Sequence, residues 1–210
     1  MAGAGGSRDP EEDPKRDSQN EEFFMRWIKK SCVLLVMLGV QLAFAQSETA
    51  TRKPDVIFVP TPHEVVEQML KLAKVGPNDV VYDLGCGDGR LVVAAAKQFG
   101  ARKAVGIDID PERIEESTRS VKEAGVGDRV TIRQEDLFEA DIREASVVTL
   151  YLLHSLNMKL RPKLWKDLKP GSRIVSQTFD MGDWKPDQEI EVEGRRVYLW
   201  TVPATPPSGQ

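Results

Sequence analysis

The chain has 210 residues, of which 40% are hydrophobic and 30% are charged, and its formal net charge is −4. This composition fits a globular domain with a real core and some additional terminal sequence. The negative balance argues against nucleic-acid binding, which needs a basic surface, so we expect no nucleic-acid partner. The two cysteines, Cys32 and Cys86, and the two histidines, His63 and His154, lack the spacing of a zinc site, so we expect no metal.

Three segments precede the expected domain. Residues 1–24 are rich in Gly, Asp, Glu, Pro and Ser, which predicts a disordered tail. Residues 25–45 combine basic residues, a short apolar run and an Ala-x-Ala ending, a pattern typical of a signal peptide or a membrane anchor. Residues 46–56 form a polar linker. Because signal peptides begin close to their basic residues, we expect Met25 to be the translation start and the preceding tail to be an upstream extension.

The domain is expected to span residues 57–203 and to be followed by a disordered tail at 204–210. A helix should come first. Thr61 as N-cap, Pro62 at the first helical position and Glu64 three residues after the cap match a capping box.

Strands and helices then alternate along the chain, which predicts a parallel sheet with right-handed crossovers and helices on both faces. Two further strands around Gly194 form a closing antiparallel hairpin, so we expect an α/β fold with a seven-stranded, mostly parallel sheet. The predicted strands are 80–84, 103–109, 130–133, 146–152, 172–178, 189–192 and 197–202, and the later helices are 90–99, 110–124 and 156–169.

The strongest local signal is the stretch DLGCGDGR from Asp83 to Arg90, between a predicted strand and a predicted helix. Glycines at such a turn let the backbone approach a ligand closely. The spacing is G-x-G-x-G rather than the G-x-G-x-x-G of dinucleotide binders. Two more acids follow the next strands: Asp108, where a ribose diol would sit, and Asp136, where an adenine amino group would be met.

This order of motifs resembles the class I S-adenosylmethionine-dependent methyltransferases over roughly residues 58–203. The resemblance implies a Rossmann-like methyltransferase fold with S-adenosyl-L-methionine as cofactor. It assigns the acid of the first strand to the methionine amino group, the glycine turn to backbone contacts, the second acid to the ribose and the third to the adenine. The implied cofactor-binding residues are Asp83, Gly85, Cys86, Gly87, Asp108, Ile109, Asp136 and Leu137.

Other interpretations of these residues exist. Asp108 would also suit the ribose of a nicotinamide cofactor, but the glycine spacing and the lack of a clear hydride-transfer acid argue against a dehydrogenase. Asp110 is expected to act as a helix cap, and Cys86 as a small residue in a tight turn rather than a nucleophile.

Further stretches narrow the resemblance. Residues 58–66, the glycine motif and Trp184–Asp187 are similar to the ATP-synthase c-subunit lysine N-methyltransferase family and its bacterial relatives, which implies N-methylation of a protein lysine. The chain departs at residues 151–154 from the eukaryotic members of that family, in which a glycine and a proline are usual. A small-molecule acceptor and a non-catalytic cofactor-binding module therefore stay open as alternatives. The same stretch lacks the Pro-Pro-aromatic motif of DNA adenine methyltransferases.

Four residues are expected to meet at the carboxyl edge of the sheet, where open α/β sheets bind ligands: Tyr151, His154, Asp180 and Trp184. A lysine acceptor has a free pKa of about 10.4 and must lose a proton before it reacts. Tyr151 would orient the amine, His154 would act as a base, and Trp184 would wall the acceptor channel. The alternatives are packing roles for the two aromatics and a surface helix start for His154.

Location is predicted only in part. The signal-like segment at residues 25–45 implies a domain that is exported or membrane-anchored, and its basic flank places the domain on the far side of the membrane. S-adenosylmethionine is made in the cytosol, so the sequence leaves the side of the membrane open.

Overall fold

A computed structural model describes residues 58–205, and this part of the chain contains four helices and seven strands. The helices are α1 (His63–Leu72), α2 (Arg90–Lys97), α3 (Pro111–Ala124) and α4 (His154–Asp167). The strands are β1 (Val80–Leu84), β2 (Lys103–Asp108), β3 (Val130–Gln134), β4 (Val147–Leu150), β5 (Arg173–Gln177), β6 (Gln188–Val192) and β7 (Arg195–Thr201).

The seven strands form one sheet in the order β3-β2-β1-β4-β5-β7-β6, which confirms the predicted fold class. The first five strands of this order are parallel, and β7 pairs antiparallel with both β5 and β6. Strand β1 is buried at all five positions, as expected of a central parallel strand covered on both faces. Its carboxyl end lies between those of β2 and β4, so the loops after these strands share one edge.

Helices cover both faces of the sheet and produce two hydrophobic cores. Val65 and Leu70 of α1 belong to the first core, together with residues of α2. Leu160 and Leu164 of α4 belong to the second, together with Trp200 of β7. Because side chains alternate along a strand, β1, β2, β4, β5 and β7 each contribute to both cores.

The start of α1 differs from the prediction. The helix begins at His63 with Pro62 as N-cap, and no side chain caps it, so the capping box is wrong. Thr61 is buried, and its carbonyl oxygen accepts a hydrogen bond of 2.7 Å from Nη1 of Arg90. The Glu64 carboxylate accepts a hydrogen bond from Nε2 of Gln68 one turn later, instead of reaching back to the cap. By contrast, the prediction for α3 is confirmed: Asp110 caps it by accepting from the backbone N–H of Glu112.

Strand β4 is shorter than predicted and ends at Leu150. Residues 151–153 therefore form the loop into α4, which begins at His154, two residues earlier than expected. This shift moves Tyr151 off the sheet and into the loop at its edge.

Within residues 58–205, no helix is both long and apolar enough to cross a membrane. The predictions for the N-terminal tail, the signal-like segment and the linker fall on residues outside the described range, as does most of the predicted C-terminal tail.

Candidate active site

The carboxyl edge of β1, β2 and β4 opens into a cavity of about 270 Å³. Most of the residues predicted for cofactor binding line it, and Tyr151 does so as well. Gly87, His154 and Trp184 are not among the lining residues. The predicted residues that line the cavity are Asp83, Gly85, Cys86, Asp108, Ile109, Asp136, Leu137 and Tyr151.

Two positions of the glycine turn after β1 are packed closely by other side chains of the protein and leave no space for a Cβ atom. Gly85 has φ +86°, and a Cβ atom there would lie 3.1 Å from Cδ2 of Leu152. Gly87 has φ +54°, and a Cβ atom there would lie 2.1 Å from the ring of Phe58. The backbone N–H groups of Gly85 and Cys86 both donate to the carbonyl oxygen of Ile107, which joins the turn to β2.

Asp108 is fixed at the end of β2 by two backbone donors. Its Oδ2 accepts from the N–H of Gly87 at 2.9 Å, and its Oδ1 accepts from the N–H of Asp110 at 3.0 Å. The carboxylate is therefore held beside the glycine turn at the cavity wall. Asp136, which follows β3, accepts from the N–H of Phe138 at 2.9 Å and lines the same cavity.

Asp83 is a buried acid at the floor of the cavity. Burial raises the pKa of its carboxyl to about 7, the hydrogen bond from Thr149 opposes this, and the negative charges of Asp108 and Asp88 add to it. The Thr149 hydroxyl donates to Oδ1 of Asp83 at 2.8 Å. Among the described residues, no ion pair neutralises this carboxylate, so a cationic group of a ligand would satisfy it.

Cys86 is buried next to the glycine turn. Burial raises the pKa of its thiol well above the ordinary value, and the neighbouring acids Asp83 and Asp108 raise it further. A thiol in this environment stays protonated and is a poor nucleophile. The structure therefore agrees with its role as a small turn residue.

His154 and Asp180 lie together at the edge of the cavity. The Nδ1 atom of His154 is 3.0 Å from Oδ1 of Asp180, and both side chains are about half exposed. Their chain neighbours Leu153 and Phe179 line the cavity.

Trp184 lies elsewhere, which corrects the expectation that it walls the opening. Its ring packs 4.9 Å from that of Trp165 and 6.0 Å from that of Trp200. Its carbonyl oxygen accepts a hydrogen bond from Nε1 of Trp200. A bridge between Met181 and Trp184 turns the loop after β5 back over the second core, against which the partly buried indole packs.

Comparison with known proteins identifies this arrangement. The family described as the ANTKMT methyltransferase domain matches residues 83–188, which include the glycine turn, all three acids and the loop after β5. The chain belongs to this methyltransferase family.

Several relatives of the methyltransferase are similar over most of the described domain. A protein-lysine N-methyltransferase from Saccharolobus islandicus is 48% identical over 71% of this chain and 95% of its own length. The human lysine N-methyltransferase of the ATP synthase c-subunit is 29% identical over 66% of this chain, which spans 58% of that relative. A solved structure described as an RNA methyltransferase from Salinibacter ruber in complex with S-adenosyl-L-homocysteine is 56% identical, with a TM-score of 0.70, over 72% of this chain and 98% of that one.

The methyltransferase uses S-adenosylmethionine, and the cavity fits this cofactor. Asp83 offers a buried negative charge for the methionine ammonium group, Asp108 offers a fixed carboxylate for the ribose hydroxyls, and Ile109 and Leu137 offer apolar walls for the adenine. Gly85 and Cys86 line the cavity, so this part of the turn would contact the ligand. When bound, the cofactor supplies a methyl group on a sulfonium. The enzyme's own residues position the partners and exclude water.

Among the residues at this site that the sequence did not assign to it are Phe58, Arg113 and Thr149. In the sequence, Phe58 is noted only as part of the longer motif at residues 58–66. In the structure its ring lies against Gly87, and the guanidinium carbon of Arg113 lies 4.9 Å from the centre of that ring. Thr149 had one available signal, a hydroxyl in the otherwise apolar strand VVTL. Neither Phe58 nor Arg113 had such a signal, because their contact joins segments distant in sequence.

Proposed function

We propose that the methyltransferase transfers the methyl group of S-adenosylmethionine to the ε-amino group of a lysine in a protein. The observation that carries this proposal is the apolar and aromatic rim of the cavity next to α4, which suits the methylene groups of a lysine side chain. The cavity wall is also acidic, with six carboxylates and two guanidinium groups, although three of these carboxylates are the ones that fit the cofactor. Negative walls favour a cationic acceptor and disfavour a phosphate backbone. The charged lining residues are Asp83, Asp88, Asp108, Asp110, Glu135, Asp136, Arg90 and Arg113.

The relatives support the same acceptor class. The archaeal relative named for protein-lysine N-methylation shares 48% of aligned residues with this chain and is covered almost completely. The human relative is named for a lysine of the ATP synthase c-subunit. The chain spans 58% of that human protein, so we do not propose the ATP synthase c-subunit as the acceptor of this enzyme.

The rim of the cavity suits the burial of an amine. Tyr151, Leu153, Leu156 and Phe179 line the side of the cavity next to α4, and Leu153 is exposed to solvent. A lysine side chain inserted there would pack its methylene groups against these residues. Burial in an apolar environment lowers the pKa of an ammonium group, which favours the neutral, nucleophilic amine.

The proposal is tested by incubating the purified full chain with methyl-labelled S-adenosylmethionine and a total protein extract, followed by mass spectrometry. We expect label on lysine residues of protein. The Asp108→Ala variant should abolish labelling through weak cofactor binding, whereas Asp110→Ala should retain it and lose about 1 kcal/mol of stability as a helix cap. Label confined to small molecules would contradict the proposal, and cofactor binding without any turnover would indicate a non-catalytic module.

An RNA acceptor is the second candidate, favoured by the description of the Salinibacter ruber structure at 56% identity. The acidic cavity wall and the net charge of −4 argue against it. The same labelling experiment with total RNA added separates the two: label removed by protease supports lysine, and label removed by ribonuclease supports RNA.

We also propose that residues 25–45 direct the enzyme to or across a membrane. The basic residues and the apolar run support this proposal. Fractionation of cells that express the full chain tests it, with N-terminal sequencing of the product. A soluble product that retains residues 25–45 would contradict it.

A further inference from the structure

The pair formed by His154 and Asp180 has a defined orientation. Oδ1 of Asp180 is 3.0 Å from Nδ1 of His154, and the same oxygen accepts a hydrogen bond of 3.0 Å from the backbone N–H of Gly182. The carboxylate is therefore fixed by its own loop while it faces the imidazole. If the neutral imidazole donates to this carboxylate through Nδ1, its lone pair lies on Nε2, and Nε2 is then the atom that would accept a proton.

The loop that carries Asp180 is pinned to α4 by buried polar side chains. Nδ2 of Asn157, which is fully buried, donates to the carbonyl oxygens of Phe179 at 3.1 Å and Asp180 at 3.3 Å. Nη1 of Arg161, also buried, donates to the carbonyl oxygen of Met181 at 2.9 Å. Since His154 begins the same helix, these contacts fix the position of the carboxylate relative to the imidazole.

The loop begins with a strained residue. Thr178 has φ +67°, an unfavourable conformation for a β-branched residue, directly after β5. Its N–H donates to the carbonyl oxygen of Arg196 at 2.7 Å, and the N–H of Phe179 donates to that of Gln177 at 2.8 Å. Backbone strain of this kind is retained mostly at functional sites. This turn at Thr178 places Phe179 in the cavity wall and Asp180 beside the imidazole of His154.

The surroundings of the pair suit proton transfer. Leu153 and Phe179 place it beside the rim where the acceptor amine would enter, and its half-exposed side chains give a proton a path to solvent. Asp183 of this loop is ion-paired with Arg161 of α4, and Lys159 of α4 lies over the ring of Phe138. Lys185 and Asp187 follow later in the loop, where Oδ2 of Asp187 accepts from the backbone N–H of Thr201. The Asp180 carboxylate, 3.0 Å from Nδ1, is the charge that lies directly against the imidazole.

We propose that His154 Nε2 is the proton acceptor for the amine substrate and that Asp180 is its positioning residue. The inference rests on the proposed function, because it requires an amine acceptor. The ammonium group of the lysine gives one proton to Nε2, which leaves a neutral amine and an imidazolium. The amine lone pair then forms the bond to the methyl carbon as the bond from that carbon to sulfur breaks. The imidazolium returns its proton to solvent.

Initial rates of label transfer into a total protein extract, at saturating S-adenosylmethionine, test the role of the pair. We expect His154→Gln and Asp180→Asn to lower the rate at pH 7 by about 100-fold, the range of general base catalysis, with cofactor affinity unchanged. The loss should shrink as pH rises toward 10, because the lysine then ionises without help. His63→Gln is the matched control, since His63 is the other histidine of the chain and is exposed at the start of α1.

The outcomes separate the two proposals. Rates within twofold of wild type in both variants at every pH would overturn the role of the pair while the proposed function stands. A wild-type enzyme that labels no protein would instead overturn the proposed function.

A second measurement needs no acceptor. With two histidines in the chain, nitrogen NMR of the ring atoms resolves the tautomer of His154, using His63→Gln for assignment. We expect the proton on Nδ1 in wild type and on Nε2 in Asp180→Asn, because the amide would donate to Nδ1. A wild-type proton on Nε2 would refute the proposed orientation.

Discussion

Thr149 of β4 donates its hydroxyl hydrogen to Oδ1 of Asp83 on β1 across 2.8 Å, beneath the cofactor cavity. The two residues are register partners in the parallel pairing of these strands. Both are buried. An acid in this position costs stability when it is ionised and unliganded, because burial penalises the charged form. We expect the cationic ammonium group of the cofactor to offset this cost when it binds.

The first prediction concerns the stability of the unliganded enzyme. Asp83 has a pKa of about 7 in the folded chain against an ordinary value of 3.8. Because the pKa of Asp83 is raised in the folded chain, the protonated carboxyl is the form that the fold tolerates. Its contribution to the free energy of unfolding is fully present below the unfolded pKa of 3.8 and is lost as pH rises through about 7. Asp83→Asn keeps the shape and removes the charge. We expect it to raise the free energy of unfolding at pH 8 by on the order of 2 kcal/mol.

Denaturant unfolding of both proteins between pH 4 and pH 8 checks this expectation. The gain in Asp83→Asn should grow from pH 4 to about pH 7 and stay constant above it. The same variant should bind S-adenosylmethionine at least about tenfold more weakly, since it lacks the charge that meets the ammonium. A variant that is destabilised at pH 8 would contradict the assignment of a raised pKa to Asp83.

The second prediction concerns Thr149. The hydrogen bond from its hydroxyl stabilises the ionised form of Asp83 and so lowers the pKa of that carboxyl. Thr149→Val removes the hydroxyl at nearly constant volume and should raise this pKa. Cofactor affinity at pH 7 should therefore fall several-fold and recover at pH 9, whereas Thr149→Ser should bind like wild type. Calorimetric titration at the two pH values measures this; equal losses at both would mean that the hydroxyl acts through packing alone.

Residues that could be predicted from sequence share a local signal. The seven strands along the chain, the glycine turn and the acids at the ends of β2 and β3 all follow from patterns within a few residues, namely apolar runs, glycine spacing and acids at strand ends. The cap of α3 belongs to the same class, since Asp110 and Pro111 act on their own helix.

Residues that could not be predicted depend on contacts distant in sequence. Trp184 is expected at the cavity because its loop follows β5, but its partners Trp165 and Trp200 come from a helix and another strand. The capping box near Thr61 fails for a similar reason. Arg90, 29 residues away, donates to the Thr61 carbonyl oxygen and holds the chain before α1 in a different path.

The third prediction separates the two aromatics that the sequence pattern assigns to one wall. Trp184 belongs to the tryptophan cluster and is half-buried, so Trp184→Ala should lower the free energy of unfolding by about 2 kcal/mol. Its turnover per folded molecule should stay near that of wild type. Tyr151 lines the cavity, and Tyr151→Phe should lower turnover with little change in stability. Unfolding curves and labelling rates of both variants test these two expectations. Normal turnover in Tyr151→Phe would show that the Tyr151 hydroxyl does not contact the acceptor.

The last prediction isolates the contact between Gly87 and Phe58. Gly87 and Gly100 both have positive φ angles, +54° and +68°, so alanine is strained at either position. They differ in their surroundings. A Cβ atom at Gly100 meets nothing within 4 Å, whereas one at Gly87 would collide with the Phe58 ring at 2.1 Å.

Gly87→Ala should therefore displace Phe58 from the edge of the glycine turn, and Gly100→Ala should not. Both variants should lose about 1–2 kcal/mol of stability from backbone strain. Cofactor affinity should fall only in Gly87→Ala, because Phe58 lines the cavity and the N–H of Gly87 fixes the Asp108 carboxylate. Calorimetry at a temperature where both variants are folded measures the difference in cofactor affinity.

If Phe58→Ala binds the cofactor as wild type does while Gly87→Ala does not, the loss of affinity comes from Asp108 and the turn rather than from the displaced ring. Equal affinity in Gly87→Ala and Gly100→Ala would exclude both routes and place the cofactor away from this turn.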